Sequence, residues 1–357
     1  MMSAQVSATG PVSRTARAGE HSTICFDFYG LRIAVHSEDE GVLEDVQRDF
    51  SYFRSTPGHT HSSIEIVPET PAWADLPPLP ATLHTPRNIV YRDGSLSYLD
   101  YSGRALMIVH HDQEYYRVYC AERDLAHEIT FLTMLSRVGE YLDSIGLHRV
   151  HALGVQAGER ATLILLPMGG GKTTLALHIL GAGGIRLLSE DSPLVSRSGQ
   201  VFPFPIRIGV RVGEEPPDAP AGYCRTVRRM EFGPKTLIDI AHFAEQIGEP
   251  CPVGSILLGE RWLKGDPFIC PARRRTAIGA LIKNSVVGLG LYQGVEFVLE
   301  RSAWEILGKT RLAGSRLLTS LQVMRRAEVY RFGLGPDVEQ NAEMLIRFVV
   351  GQPLDRR

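Results

Sequence analysis

The chain has 357 residues, 44% hydrophobic and 22% charged, with a formal net charge of -2 at pH 7. This is ordinary globular composition with room for two domains or one large one, and the near-neutral balance excludes a broad basic surface for nucleic acid. The five cysteines (Cys25, Cys120, Cys224, Cys251, Cys270) contain no C-x-x-C pair, which suits neither a disulfide framework nor a zinc site and points to a reducing, cytoplasmic compartment.

In chain order, residues 1–20 lack the apolar core of a secretory signal and read as a disordered tail. No stretch is long and apolar enough to span a bilayer, so no membrane partner is expected. From Thr23 an alternating pattern predicts a hairpin about Tyr29-Gly30, and Glu38 to Phe53 predicts a helix with Val42, Val46, Phe50 and Phe53 on one face. Ser63 to Val67 reads as a short strand and the proline-rich Thr70 to Pro86 as an extended loop. Asn88–Tyr91, Ser95–Leu99, Ala105–Val109 and Tyr115–Cys120 then form a meander turning at Asp93-Gly94 and Ser102-Gly103. Leu125, Ile129, Leu132, Leu135, Val138, Leu142 and Ile145 step by threes and fours, giving one long amphipathic helix that ends at Gly146. His127-Glu128 on this helix lacks the second histidine of a zinc motif and reads as part of a solvated face; His148 reads as surface. Residues 21–146 thus make a smaller α+β domain, suited to docking a substrate.

The next segment carries the chemistry. Ala161 to Leu166 is an apolar strand that breaks at Pro167, and Gly169, Gly170 and Gly171 lead through Lys172, Thr173 and Thr174 into a helix. Without Cβ atoms, successive backbone N–H groups of a glycine run can converge on phosphate oxygens, and the helix adds its positive end. The Lys172 ammonium can reach the β- and γ-phosphates of ATP, and the Thr173 hydroxyl suits a Mg²⁺ ion bridging them. The full phosphate-loop pattern has a glycine where Leu166 stands. One helix further on, Gly183 to Asp191 (G-G-I-R-L-L-S-E-D) is a strand ending in two acids. This places Glu190 and Asp191 at the carboxyl edge of a strand neighbouring the loop strand. Phosphoryl transfer needs one carboxylate beside the metal and one to accept the incoming hydroxyl's proton. Adjacent strand residues face opposite ways, so both roles require a turn at Ser189 to Ser192, which Pro193 favours.

His151, the loop Gly169 to Thr174 and the acid segment Gly184 to Asp191 together resemble the catalytic domain of HPr kinase/phosphorylase, a bacterial protein-serine kinase related in fold to phosphoenolpyruvate carboxykinase. The family pattern is a histidine on a strand, a hairpin, the phosphate loop, a helix and Gly-x-x-Leu-x-x-Asp-Asp, with Glu190 here replacing the first aspartate. The resemblance is close over Val150 to Val195 and loose elsewhere. It implies an α/β P-loop kinase domain of the HPr kinase / phosphoenolpyruvate carboxykinase type over residues 147–357, preceded by the smaller α+β domain. It also implies Glu190 as general base, Asp191 as metal-side acid, His151 near the transferring phosphate, and ATP with Mg²⁺ as cofactors. The family's Arg-Gly-rich signature of dephosphorylation is not recognisable, which implies kinase activity without it. The expected acceptor is a Ser or Thr hydroxyl of a peptide or small protein, since relatives of the fold include kinases of natural-product precursor peptides. The alternatives are a small-metabolite hydroxyl and a nucleotide-binding regulator that transfers nothing; a homo-oligomer is left open.

Downstream, Gln200 to Val212 is strand-like and Glu214 to Gly222 a proline-rich loop. Arg225, Arg228 and Arg229 form a basic group that either clamps an anion or is solvated, as do Arg273 to Arg275. Ser255–Leu258 reads as a buried strand, Arg275–Lys283 as a short helix, Phe297–Glu300 as a strand and Gly335–Val350 as a closing helix.

Overall fold

Period-two alternation of buried side chains lays out the first half of the fold, and runs buried on both faces lay out the second. The computed structural model describes residues 22–167, 169–180, 183–213, 220–230, 233–282, 284 and 303–351, with side chains of the last span from 311 onward. The expected tail over 1–20, the expected strand at Phe297 to Glu300 and most of the expected loop at Glu214 to Gly222 lie outside those residues.

Ser22–Phe28 (β1) and Leu31–Ser37 (β2) pair antiparallel as the expected hairpin, with Tyr29 (φ 57°) and Gly30 (φ 104°) at its turn. Arg54–Ser55 (β3), Ser62–Val67 (β4), Ala81–His84 (β5), Ile89–Asp93 (β6), Leu96–Asp100 (β7), Ala105–His110 (β8) and Tyr115–Cys120 (β9) complete a nine-stranded mixed sheet in the order β3-β1-β2-β4-β9-β8-β7-β6-β5. β5 falls inside the segment expected to be a loop; it is an edge strand with mostly exposed residues and so carries no apolar alternation. Glu40–Asp49 (α1), capped by the Asp39 side chain on Gly41 N and Val42 N, and Arg123–Ser144 (α2) cover the sheet. Phe26, Phe28, Phe50, Ile33, Ile129 and Met134 fill the core between them.

The strands that follow are Leu147–Arg149 (β10), Leu153–Ala157 (β11), Arg160–Leu165 (β12), Ile185–Ser189 (β13), Leu194–Ser196 (β14), Gln200–Phe202 (β15), Ile208–Arg211 (β16), Cys224–Val227 (β17), Lys235–Ile238 (β18), Cys251–Arg261 (β19), Phe268–Pro271 (β20) and Glu328–Leu334 (β21). The helices are Lys172–Leu180 (α3), Arg274–Leu281 (α4), Ala303–Arg326 (α5) and Val338–Val349 (α6). β19 is the trunk of a second mixed sheet: β12 and β21 run parallel to it on either side, and β15 pairs only with its first residues. β11 and then β13 extend the sheet beyond β12, β20 lies outside β21, and β14 and β10 continue from β15. β16-β18-β17 is a separate three-stranded antiparallel sheet.

Alternation along β12 divides the second core. Ile164 joins Leu175, Ala176 and Ile179 of α3 and Leu345 of α6, whereas Leu163 and Leu165 join Ala277 and Leu281 of α4 and Val323 of α5. Helices therefore lie on both faces of a largely buried sheet, an α/β arrangement. The closing helix begins at Val338 rather than Gly335, because Asp337 caps it by accepting from Gln340 N. Phe204 and Leu194, from the second half, are part of the first core. Among the described residues, no helix is long and apolar enough to cross a membrane.

Candidate active site

The strand, turn and helix expected around the glycine run are present as β12, the turn through Gly169 to Gly171, and α3. Gly169 (φ +71°) and Gly171 (φ +92°) adopt left-handed backbone, and a Cβ on Gly170 would stand 2.8 Å from the Pro167 carbonyl oxygen that its own N–H bonds at 2.9 Å. Any side chain at these positions strains or blocks the turn. Leu166, where the full pattern has glycine, is buried and lies over Gly259 of β19, where an added Cβ would be 2.2 Å from its Cδ2. Leu166 therefore shapes the loop through the neighbouring strand, and its carbonyl accepts from Lys172 Nζ at 3.0 Å.

Lys172 opens α3 and is buried, 6% exposed. Its Nζ also lies 2.8 Å from His151 Nε2. An ammonium only donates, so Nε2 accepts and the ring proton belongs on Nδ1. That Nδ1 is 3.0 Å from Asp191 Oδ1, a close polar contact whose geometry falls short of a hydrogen bond. His151 sits in the bend between β10 and β11 rather than on a strand. Ala152 N bonds the Asp191 carbonyl at 3.1 Å and Val150 N that of Pro193 at 3.1 Å, which fixes the histidine beside the acid pair. The expected turn after β13 is present: Ser189 Oγ accepts from Ser192 N at 3.0 Å, so Glu190 and Asp191 turn toward one site. Thr173 donates a short hydrogen bond from its hydroxyl to Glu190 Oε1. Gly169 to Thr174, His151, Glu190 and Asp191 are thus gathered in one place, with Thr174 exposed on the first turn of α3.

Two placements differ from the expectations. The acid strand does not adjoin the loop strand: β11 lies between β12 and β13, antiparallel to both, so β12 and β13 point the same way and the acids still emerge at the loop's edge. The basic group does not line the site as a set. Arg225 is consumed by Asp49 and Asp239, Arg229 bonds the Gly233 carbonyl, and Arg273 to Arg275 stand exposed at the start of α4. His127 and His148 are buried rather than solvated; their partners are Asp49 at 2.7 Å, and Asp143 at 2.8 Å with Ser315 at 3.0 Å. Glu128 accepts from Met230 N at 2.5 Å.

Charge in the site is sorted by environment. Burial and the adjacent Asp191 charge push the Glu190 carboxyl up, only partly offset by Thr173 and by the lysines Lys235 and Lys172. Burial also works against Asp191, but His151 and the two lysines hold its carboxyl below the usual carboxylate range. Burial pushes the Lys172 ammonium down against the pull of both acids. Two cations at the site were not evident from the sequence. Lys235 enters from β18, within the field of Glu190 and Asp191. Arg261, at the end of β19, has its Nη2 3.8 Å from where a Cβ on Gly171 would stand, and borders a groove with Gly170, Gly171, Thr174, Leu334 and Val338. The signal for Arg261 was its position just past an apolar strand parallel to the loop strand; nothing local marked Lys235.

Among the described residues, no set of three or more His, Cys, Asp and Glu side chains closes around a metal ion. The Thr173 hydroxyl and the paired carboxylates are instead the sparse oxygen donor set that suits magnesium, which takes one or two carboxylates and completes its shell with water and substrate phosphates. No protein-family model matches the chain, and a search of curated proteins returns no match.

Proposed function

We propose that this protein is an ATP-dependent phosphotransferase of the HPr kinase type, acting on a Ser or Thr hydroxyl of a peptide or small protein. The observation that carries the reading is the convergence of a glycine turn, a buried lysine and two carboxylates at one sheet edge. Its support in the fold is the order of parts: His151, the β11–β12 hairpin, the loop, α3, then β13 with the acid pair. Residues 147–357 are the proposed catalytic domain and 21–146 the proposed docking domain. The five free thiols favour a reducing cytoplasm.

In this reading the backbone N–H groups of Gly169 to Lys172 and the first turn of α3 take up phosphate oxygens, and Lys172 turns from the Leu166 carbonyl to them. Thr173 and Asp191 would hold magnesium, which supplies charge neutralisation on the phosphates when bound. Glu190, whose raised carboxyl is the better base near neutrality, takes the acceptor's proton. The bond from the γ-phosphorus to the β,γ-bridging oxygen breaks, the acceptor oxygen bonds that phosphorus, and ADP leaves with the electron pair. His151 keeps Asp191 charged through Nδ1 and Lys172 oriented through Nε2.

The Thr173–Glu190 hydrogen bond favours a second reading in which the acids exchange roles, with Glu190 on the metal side and Asp191 as base. Magnesium titrations of transfer activity separate the two: the variant whose magnesium requirement rises most, Glu190→Gln or Asp191→Asn, names the metal-side acid. The reaction itself is tested by incubating the protein with γ-³²P-ATP and Mg²⁺ against a peptide library and a metabolite pool, beside Lys172→Ala and Glu190→Gln. Label in a peptide that both variants lose supports the proposal, and label only in a metabolite redirects it to a small hydroxyl. Tight ATP binding with no transfer to either pool favours a nucleotide-binding regulator.

A further inference from the structure

Lys235 is the first residue of β18 and lies opposite Arg211 of β16. Gly209 is two residues along β16, on the same face, paired with Leu237. The lysine side chain runs over that glycine: a Cβ on Gly209 would sit 2.4 Å from both Cε and Nζ. Gly209 does not adopt the left-handed backbone that calls for glycine, so clearing a path for the ammonium is what the missing side chain accomplishes there.

The ammonium so placed is half-buried and makes no hydrogen bond or ion pair with any described residue, although Glu190 and Asp191 lie within its field. The like charges of Arg229 and Arg207 add to its cost. Lys172, the other lysine facing the same acids, by contrast has two of its three donors engaged, by Leu166 and His151. An ammonium carried into a half-buried site with its donors unused is matched to an anion that arrives from outside.

We propose that Lys235 is the second cation on the transferred phosphoryl group, taking its oxygens opposite the phosphate loop, with Gly209 as the residue that positions it. This rests on the phosphotransferase reading above. The ligand class is a tetrahedral phosphate oxyanion, held at the acids between Lys172 and Lys235.

The test uses the full chain and two calorimetric titrations: Mg·ADP into the protein, then inorganic phosphate into the ADP-saturated protein. Lys235→Ala is expected to keep ADP affinity within about twofold while weakening phosphate by about tenfold or more, the loss of one charge-assisted contact. Lys235→Arg is expected to recover part of the phosphate affinity. Gly209→Val, which displaces the ammonium and leaves it in the chain, is expected to reproduce the defect, with thermal melts verifying that each variant is folded. Equal phosphate affinity in the wild type and Lys235→Ala, or a wild type that binds ADP and takes no phosphate, overturns this inference and leaves the phosphotransferase reading intact. A wild type that fails to bind ADP overturns both.

Discussion

Two groups of charged residues in this molecule use the same chemistry to opposite ends. At Asp49 the carboxylate is fully buried and saturated: His127 bonds it at 2.7 Å, and Arg207 and Arg225 close on it with short ion pairs. Arg225 also holds Asp239, which Arg48 bonds at 2.5 Å, and the Arg207 guanidinium stacks 3.5 Å above the Phe131 ring. The cluster ties α1 and α2 to the loop before β16 and to β17. At Glu190 and Asp191 the acids are only part-buried, the Asp191 side chain being 38% exposed, and the Lys235 ammonium in their field makes no hydrogen bond or ion pair with any described residue. Saturated charges fix geometry; charges left with spare valence are available for a ligand.

The contrast predicts opposite responses to the same substitution. Asp49→Ala leaves Arg207 buried without its carboxylate and takes one acid from Arg225, and is expected to cost about 3–5 kcal/mol in urea denaturation. Asp191→Ala is expected to change stability by no more than about 1 kcal/mol while lowering the proposed phosphoryl transfer by about 100-fold or more. If the two variants lose equal stability, the distinction fails. Within the loop, Leu166→Ala is expected to cost about 2–5 kcal/mol, because a buried side chain seated over Gly259 leaves a cavity that a strand backbone cannot collapse into.

A smaller effect of the opposite sign sharpens the comparison. Burial holds the Lys235 ammonium below its ordinary value of 10.5, so near neutral pH the folded chain bears a penalty that the unfolded chain does not. That penalty is fully present below the folded pKa and fades as pH rises toward 10.5. Lys235→Met is therefore expected to raise stability by about 0.5–2 kcal/mol at pH 7 and by less at pH 10, read as a shift in melting temperature. The smallest effect concerns acid. Asp49 has its carboxyl driven up by burial but held below the ordinary 3.8 by Arg207, His127 and Arg225. Its contribution is present above that value and lost as pH falls through the lower folded one. Melts from pH 5 down to pH 2 are expected to fall more steeply for the wild type than for Asp49→Asn.

Much of this arrangement was legible in the chain itself, and the illegible parts share a cause. The hairpin, the meander, α2, the strand–glycine–helix unit and the turn after Ser189 all follow from local periodicity and turn chemistry. β5 was unreadable because an exposed edge strand shows no alternation. α5 was passed over because Gly308, Gly314 and a run of Ser and Thr interrupt its apolar stripe, leaving Leu317 and Leu318 outward. β20 and β21 gain their strand character from pairing with each other and with β19. The site divides in the same way. Its loop, acids and histidine fall within one continuous stretch, whereas Lys235 and Arg261 reach it only through sheet register. The histidines expected on the surface, His127 and His148, were misplaced for a related reason: each is buried against a carboxylate, Asp49 or Asp143, on another turn of the fold that hydrophobic periodicity does not announce.

Leu166 and Gly259 divide a fixed volume between neighbouring parallel strands, and this ties the two positions together in descent. Glycine at 166 alone opens a void beside the loop, while a side chain at 259 alone collides with leucine. Each change is harmful until the other is made, so the pair is expected to vary together or not at all. Lineages whose loop opens on glycine are expected to carry a side chain at the position of Gly259, and lineages that share Leu166 are expected to keep that glycine.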